Sequence, residues 1–306
     1  MTETAAAAPA TLVAPATPLI VLGCGYVGAR VARAALAAGV AVRACARGTS
    51  RLQPLAAAGA QVKYVDAAMP KLLSPALASL PGALVLYSIP ALSPLPPGVS
   101  VRNALQAAYG AGASAFVYFS SSGLYGDQPD DDVWIDEDTP VAIADPAMKN
   151  VLADEDELAR CSYDRLKVVT LRLAPVYGPG RGVRERLVKG NYRLLDGGSH
   201  AISRIHVDDV VNIVFAAAAR AESKSLYLVA DDEPTTQRDY ATWLCDRMQL
   251  PLPATRALYE PGAPRTAHRN RKIRNAKLKH ELAISLRYPT FREGEAAIEA
   301  ELAARA

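Results

Sequence analysis

The stretch that most constrains the fold is Pro18–Gly28 together with the alanine-rich segment that follows it. A short apolar run, Leu19–Leu22, ends in Gly23-x-Gly25-x-x-Gly28, and Gly39 closes the alanine-rich segment. The pattern reads strand, tight glycine turn, helix. In such a unit Gly23 permits the sharp turn, Gly25 lets the backbone approach a pyrophosphate, and Gly28 lets helix and strand pack closely. The helix start offers unpaired N–H groups and the positive end of its dipole. The stretch therefore predicts a dinucleotide cradled by Gly23, Cys24, Gly25, Tyr26, Val27 and Gly28, with the small Cys24 side chain fitting inside the turn.

The rest of the first half repeats the alternation. Strands are expected at 40–46, 61–66, 83–89 and 115–120, with helices at 51–58, 72–80 and 101–111. Strands alternating with helices at this spacing mean right-handed crossovers and a parallel sheet covered on both faces. Ligands in such sheets lie beyond the carboxyl ends of the strands. Ser88 and Pro90 after the fourth strand and Ser120 at the end of the fifth are thereby expected on the cofactor side. Further on, a strand is expected at 168–173, a short one at 202–206, a helix at 207–219 and a last strand at 225–229.

Residues 1–17, rich in Ala, Pro and Thr without periodicity, read as a disordered tail. They carry no basic start of a secretory signal, and no run is long enough to span a bilayer, so a cytoplasmic location is expected. Net charge is only +3, which predicts neither a nucleic-acid nor a membrane partner. The four cysteines, Cys24, Cys45, Cys161 and Cys245, show no metal-binding spacing, and free thiols are expected.

The end of the second strand bears on cofactor choice. NAD sites usually place an Asp or Glu there for the ribose hydroxyls. This chain has no acidic residue between Glu3 and Asp66. Arg47 stands at that strand end and Arg51 one helical turn on, and a guanidinium fork suits a phosphate. NADP is therefore read over NAD, against the plainer reading of two solvated arginines. Asp66, at the end of the third strand, is either a loop cap near the adenine or an ordinary loop acid.

The fifth strand runs into Ser120-Ser121-Ser122-Gly123-Leu124-Tyr125-Gly126, which places hydroxyls where a substrate carbonyl or alcohol would lie. With the glycine turn, 171–179 (Leu-Arg-Leu-Ala-Pro-Val-Tyr-Gly-Pro), 203–210, 227–234, 274–279 and 287–294, this makes an ordered set. The set resembles the extended short-chain dehydrogenase/reductases, the NAD-dependent epimerase/dehydratase group, and within it the small atypical branch. The resemblance implies an α/β Rossmann doubly wound parallel sheet with a smaller C-terminal substrate domain. It divides the chain into 18–177 plus 206–232 for the cofactor and 178–205 plus 233–306 for the substrate. It implies a Ser/Thr with a Tyr-x-x-x-Lys pair, the tyrosine as general acid/base. Ser121 matches the serine, with Ser122 as fallback, and Pro175 and Tyr177 wall the nicotinamide.

The tyrosine is missing. Counting back from Arg172 puts Asp145 and Lys149 in the Tyr and Lys slots; counting from the acids of the same helix puts Ala147 and Val151 there. The literal Tyr163-x-x-x-Lys167 abuts the next strand and is rejected. Lys149 is a candidate for the ribose, and Tyr125 is the nearest surviving phenol. His206 is read as structural. Arg181, Arg184 and Arg186 are read as surface charges, although nucleotide-sugar relatives bind a diphosphate hereabouts. The seven Lys/Arg of 265–280 are read as mainly solvated. Dimerisation through helices near 101–111 and 145–160 is implied by the resemblance, and the acidic run 154–157 counts against it. Two functions remain open. One is an NAD(P)-dependent oxidoreductase or epimerase moving hydride to or from a carbonyl or alcohol substrate, sugar-like compounds included. The other is an NADP(H)-binding sensor or scaffold without turnover.

Overall fold

The computed structural model describes residues 13–91, 95–126, 128, 133–143, 145–257 and 270–304. Its centre is a seven-stranded sheet. The strands are β1 (Leu19–Leu22), β2 (Val42–Ala46), β3 (Gln61–Tyr64), β4 (Leu84–Tyr87), β5 (Ala115–Ser121), β6 (Lys167–Leu173) and β7 (Ser225–Val229). They are ordered β7-β6-β5-β4-β1-β2-β3 and all run parallel. The chain order reverses between β1 and β4, which makes the carboxyl ends of those two strands the crevice where a ligand fits.

The helices are α1 (Tyr26–Ala37), α2 (Gln53–Ala57), α3 (Leu73–Leu77), α4 (Val99–Gly110), α5 (Ala147–Arg160), α6 (Val183–Val188), α7 (Val207–Arg220), α8 (Gln237–Met248), α9 (Ala276–Glu281) and α10 (Phe291–Ala303). Period-two alternation splits the sheet side chains between two cores. Leu19 and Val21 pack with Val31 and Ala35 of α1 and Val210 and Val214 of α7. Ile20 and Leu22 pack on the other face with Leu77 of α3, Leu105 of α4 and Leu158 of α5. A third core joins Tyr177, Leu187, Leu194, Tyr240, Leu244, Phe291 and Ile298. Leu278 of α9, Leu282, Ile284 and Leu286 belong to the first core, so 278–286 packs on the sheet rather than on that third core.

Three local expectations change. The helix expected over 72–80 ends at Leu77, because Ala78 is extended and Ser79 takes φ 67. The strand expected over 202–206 is two. Ala201–Ile202 pairs antiparallel with Thr235–Thr236, and Ile205–His206 pairs parallel with Val176–Tyr177. Between them Ser203 turns to residues 271–273, giving its N–H and hydroxyl to the Arg271 carbonyl and accepting the Ile273 N–H. Of the stretch read as a tail, 1–12 lie outside the described residues, whereas the Val13 N–H donates to Asn212 Oδ1 at 2.7 Å. Among the described residues no helix is long and apolar enough to cross a membrane.

Candidate functional site

The glycine turn is built on the ends of three neighbouring strands. The N–H groups of Gly23 and Cys24 both donate to the Cys45 carbonyl beside it on β2, at 3.0 and 2.9 Å. From β4, Ser88 Oγ donates to the Gly23 carbonyl at 2.7 Å. Ser88 thus supports the turn from the cofactor side, while Pro90 is exposed just beyond it. Gly23 takes φ +86, and a Cβ there would stand 2.7 Å from Ile89 Cγ1 and 2.8 Å from the Ser88 carbonyl carbon. A Cβ on Gly28 would stand 2.8 Å from Val21 Cγ1, so this glycine sets how closely α1 approaches β1. A Cβ on Gly25 would meet nothing nearer than 3.9 Å. Gly25 therefore borders open space at the start of α1, whose first turn carries no side-chain cap and no acid. That arrangement suits a diphosphate. Burial pushes the Cys24 thiol up to about 11 and the Cys45 thiol up to about 12, so both sit in the turn as neutral fillers.

Arg47, just past β2, and Arg51 are exposed and have no ion-pair partner among the described residues. The other arginine of β2, Arg43, is consumed structurally, donating to the Ala76 and Ala78 carbonyls at 2.7 and 2.6 Å and to Gln61 Oε1. Asp66 Oδ1 accepts the Ala68 N–H at 3.0 Å, which closes the loop after β3.

The end of β5 divides its hydroxyls. Ser120 is buried and donates to Glu155 of α5. Glu155 also receives Arg172 of β6 bidentately, at 3.0 and 2.6 Å, and Arg172 Nη1 donates to the Tyr125 hydroxyl at 2.6 Å. Tyr125 is 0% exposed and donates in turn to the Asp136 carbonyl at 3.2 Å. Ser120 and Tyr125 are therefore held inside a closed network that locks β5, β6 and α5. Ser122 is buried, and its carbonyl accepts from Arg271. Ser121 differs: it is half-buried, and its Oγ accepts the Gly123 N–H at 2.9 Å. That bond uses a lone pair and leaves the Ser121 O–H free to donate.

The rotation of α5 separates the two ways of counting. Val151, Asp154, Glu155 and Leu158 form its buried face, and Lys149 is exposed. Two residues along a helix turn the side chain by about 200°, so Lys149 points away from the face that Val151 presents to the sheet. Ala147 and Val151, one turn apart, share the face with Glu155. Asp145 precedes the helix, its Oδ1 accepting the Ala147 N–H at 2.9 Å. Met148 closes down over the serine turn: its sulfur would stand 2.7 Å from a Cβ on Gly123. Tyr163 stacks on Tyr109 at 4.7 Å, and Lys167, at the amino end of β6, caps carbonyls of α7. That pair lies at the amino ends of the strands, opposite the glycine turn at their carboxyl ends.

The loop after β6 completes the crevice. The Pro175 carbonyl accepts the Ile205 N–H at 3.1 Å. The Tyr26 hydroxyl donates to the Pro179 carbonyl at 3.1 Å, tying the glycine turn to this loop. Tyr177 is buried edge-on to His206 at 5.2 Å. His206 Nδ1 accepts the Asp208 N–H at 3.2 Å and so caps α7. Burial drives its pKa down to about 3, which leaves a neutral imidazole holding the crossing. Beyond Pro175 a cavity of about 510 Å³ opens between this loop and α8, with Tyr177, Arg181, Arg186, Tyr192, Arg204 and Tyr240 in its wall. Of the arginines marked in the sequence, Arg181 and Arg186 reach the cavity. Arg184 is buried instead and paired with Glu295 and Glu299 at 2.8 and 2.9 Å. Arg204 was missed: it lies inside a recognised motif, but nothing in its spacing signals that it faces a cavity.

The sequence model of the NAD dependent epimerase/dehydratase family matches residues 19–230. No curated protein matches the chain. Among solved structures, a functionally unknown conserved protein from Silicibacter pomeroyi DSS is 28% identical with a TM-score of 0.79, covering 94% of this chain and 99% of its own. A putative NAD-dependent epimerase/dehydratase from Methylobacillus flagellatus is 28% identical with a TM-score of 0.73, covering 94% and 98%. MoeE5, solved with UDP-glucose and NAD, is 20% identical with a TM-score of 0.76 over 95% and 100%, and shares the fold.

Proposed function

Because the chain belongs to the NAD dependent epimerase/dehydratase family, we propose that it is an NADP-dependent oxidoreductase acting on a small carbonyl or alcohol substrate, sugar-like compounds included. One observation carries the reading: the Gly23–Gly28 turn stands at the point where strand order reverses, with Gly25 bordering open space at an uncapped helix start. When bound, the nicotinamide supplies or takes up the hydride. The protein's part is to hold and orient. The N–H groups at the start of α1 take the diphosphate, and Ser88 keeps the turn in shape. Arg47 and Arg51 offer guanidinium groups to a 2′-phosphate, where the sequence provides no acid for ribose hydroxyls. Pro175 and Tyr177 wall the nicotinamide end. Ser121 donates its free O–H to the substrate oxygen, and Met148 keeps water off that side of the serine turn. The proton that accompanies the hydride is delivered to the substrate oxygen, or in the oxidation direction taken from it, by water, by the substrate itself or by Asp145.

One observation favours a second reading, a sensor or scaffold that binds NADP(H) without turnover. No tyrosine lies between Tyr125 and Tyr163, and the face of α5 toward the sheet carries Ala147 and Val151. Fluorescence titration with NADPH and NADH, followed by NADPH oxidation over a panel of carbonyl compounds, separates the two. Turnover that falls with Ser121→Ala while NADPH affinity holds supports the enzyme. Tight NADPH binding with no turnover on any carbonyl supports the sensor. Equal affinity for NADH, unchanged by Arg47→Ala, overturns the NADP assignment.

A further inference from the structure

The segment between β6 and α6 leaves the crevice and then turns back to touch α1. Val176–Tyr177 pairs with Ile205–His206. Residues 178–181 then form a tight turn, the Gly178 N–H donating to the Arg181 carbonyl at 3.0 Å and the Arg181 N–H to the Gly178 carbonyl at 2.9 Å. The side-chain hydrogen bonds that hold the tip of this turn come from α1. The Tyr26 hydroxyl donates to the Pro179 carbonyl at 3.1 Å, and Arg30 Nη2 reaches the same oxygen at 3.5 Å. The phenol makes the stronger of the two bonds, because 3.5 Å is at the limit for an N–H donor. The guanidinium carbons of Arg30 and Arg181 each lie 5.2 Å from the Tyr26 ring centroid. Arg30 is tied in turn to Asp208 of α7 at 3.3 Å.

The contact is close as well as polar. A Cβ on Gly178 would stand 2.7 Å from the Tyr26 hydroxyl and 2.6 Å from Val207 Cγ1. The turn is therefore seated between the starts of α1 and α7, where a glycine fits and a larger residue does not. Both ends of the segment are fixed elsewhere. Val176–Tyr177 is held by its strand partner, and Arg184 of α6 pairs with buried Glu295 at 2.8 Å. Between those ends Gly180 and Gly182 take φ 77 and φ 141, a backbone that bends where glycine is needed. The tip is thus a short, glycine-hinged piece whose seat on α1 depends mainly on one phenol.

We propose that 178–181 is a strap over the bound dinucleotide and that the Tyr26 hydroxyl is its latch, so that the cofactor leaves only when the bond to the Pro179 carbonyl opens. This rests on the dinucleotide reading. Tyr26 is the first residue of α1, where the diphosphate is placed, and Pro175 and Tyr177 wall the nicotinamide end. A dinucleotide running from the glycine turn to those two residues lies along the whole of 175–181. Tyr26 is then a positioning residue: its side chain holds the strap, and the strap governs exchange. One neutral hydrogen bond between latched and open strap changes the release rate by up to about tenfold.

Stopped-flow displacement of NADPH from the full-length protein, followed by its fluorescence, tests this; NADH serves instead should that be the dinucleotide bound. Tyr26→Phe keeps the ring beside both guanidinium groups and removes only the hydroxyl. It should release the dinucleotide about three- to tenfold faster, with association within about twofold of wild type. Limited trypsin digestion reads the strap itself, because Arg181 is exposed on it. Bound dinucleotide should slow cleavage after Arg181 in wild type, and slow it less in Tyr26→Phe. Gly178→Ala pushes the turn off its seat and should release the dinucleotide at least as fast as Tyr26→Phe, with the double variant no faster than Gly178→Ala alone. Should Gly178→Ala not fold, the release rate of Tyr26→Phe and the cleavage after Arg181 decide. Release from Tyr26→Phe at the wild-type rate overturns the latch, as does a loss of affinity carried by association alone. Cleavage after Arg181 that bound dinucleotide leaves unchanged in wild type overturns the strap. A wild type that binds neither NADPH nor NADH strikes the dinucleotide reading, and the strap falls with it.

Discussion

Gly25→Ala separates the architecture of the glycine turn from its use. The three glycines differ in what a methyl group would meet. At Gly23 it would stand 2.7 Å from Ile89 Cγ1 and 2.8 Å from the Ile89 nitrogen, on a residue with φ +86. At Gly28 it would stand 2.8 Å from Val21 Cγ1. At Gly25 the nearest atom is the Gly23 carbonyl oxygen at 3.9 Å, and φ −92 with ψ −150 is open to an L residue. Gly25→Ala should therefore fold with unchanged stability, or gain about 0.4–1 kcal/mol from the stiffer unfolded chain. Its methyl group would occupy the space where a diphosphate meets the start of α1. NADPH affinity should fall at least about tenfold, or about 1.4 kcal/mol. Gly28→Ala should lose about 1–3 kcal/mol of stability to overpacking against Val21, and Gly23→Ala more, because backbone atoms are in the way. Urea denaturation and fluorescence titration with NADPH read the two quantities independently. The reasoning fails if Gly25→Ala binds NADPH within about twofold of wild type, or if it is destabilised as much as Gly28→Ala.

Glu155→Ala should cost about 3–5 kcal/mol in urea denaturation, because it leaves the buried Arg172 guanidinium without its bidentate partner; a loss below about 1 kcal/mol would show that the network is not holding β5, β6 and α5 together. Asp154 accepts the Tyr118 hydroxyl, and burial raises its carboxyl from 3.8 to about 6. Its stabilising contribution is therefore full below the lower value and lost as pH rises to the upper one. Asp154→Asn should gain stability relative to wild type across that window and hold the gain above it, and a difference running the other way refutes the assignment. His206, neutral down to about 3, should show ring chemical shifts that stay flat from about pH 8 to about pH 4; a titration near the ordinary imidazole value would mean that it is hydrated.

The sequence by itself determined the order of strands and helices and the place of the glycine turn. Those features are local. Apolar runs of four to seven residues, glycine punctuation and the spacing of 23, 25 and 28 act within one unit of chain, and parallel pairing follows from the alternation. The same locality explains what was out of reach. Asp145 with Lys149 and Ala147 with Val151 are each one helical turn apart, so spacing fits either pair to the missing motif. The docking of Glu155 on Arg172 and of Asp154 on Tyr118 fixes the rotation of α5 and turns Lys149 outward. Ser120, Ser121 and Ser122 are three equivalent hydroxyls in sequence. Their roles separate because β5 sends alternate side chains to opposite faces, and α5 supplies an acid on one side only. In sequence Arg184 reads as a surface charge, and Arg204 carries no signal of its own. Glu295 and Glu299, more than a hundred residues on in the chain, pair with Arg184, whereas among the described residues no carboxylate forms an ion pair with Arg204. Whether a buried charge is satisfied depends on partners brought from distant segments, and that was decided only when α10 and the loop after β6 came together.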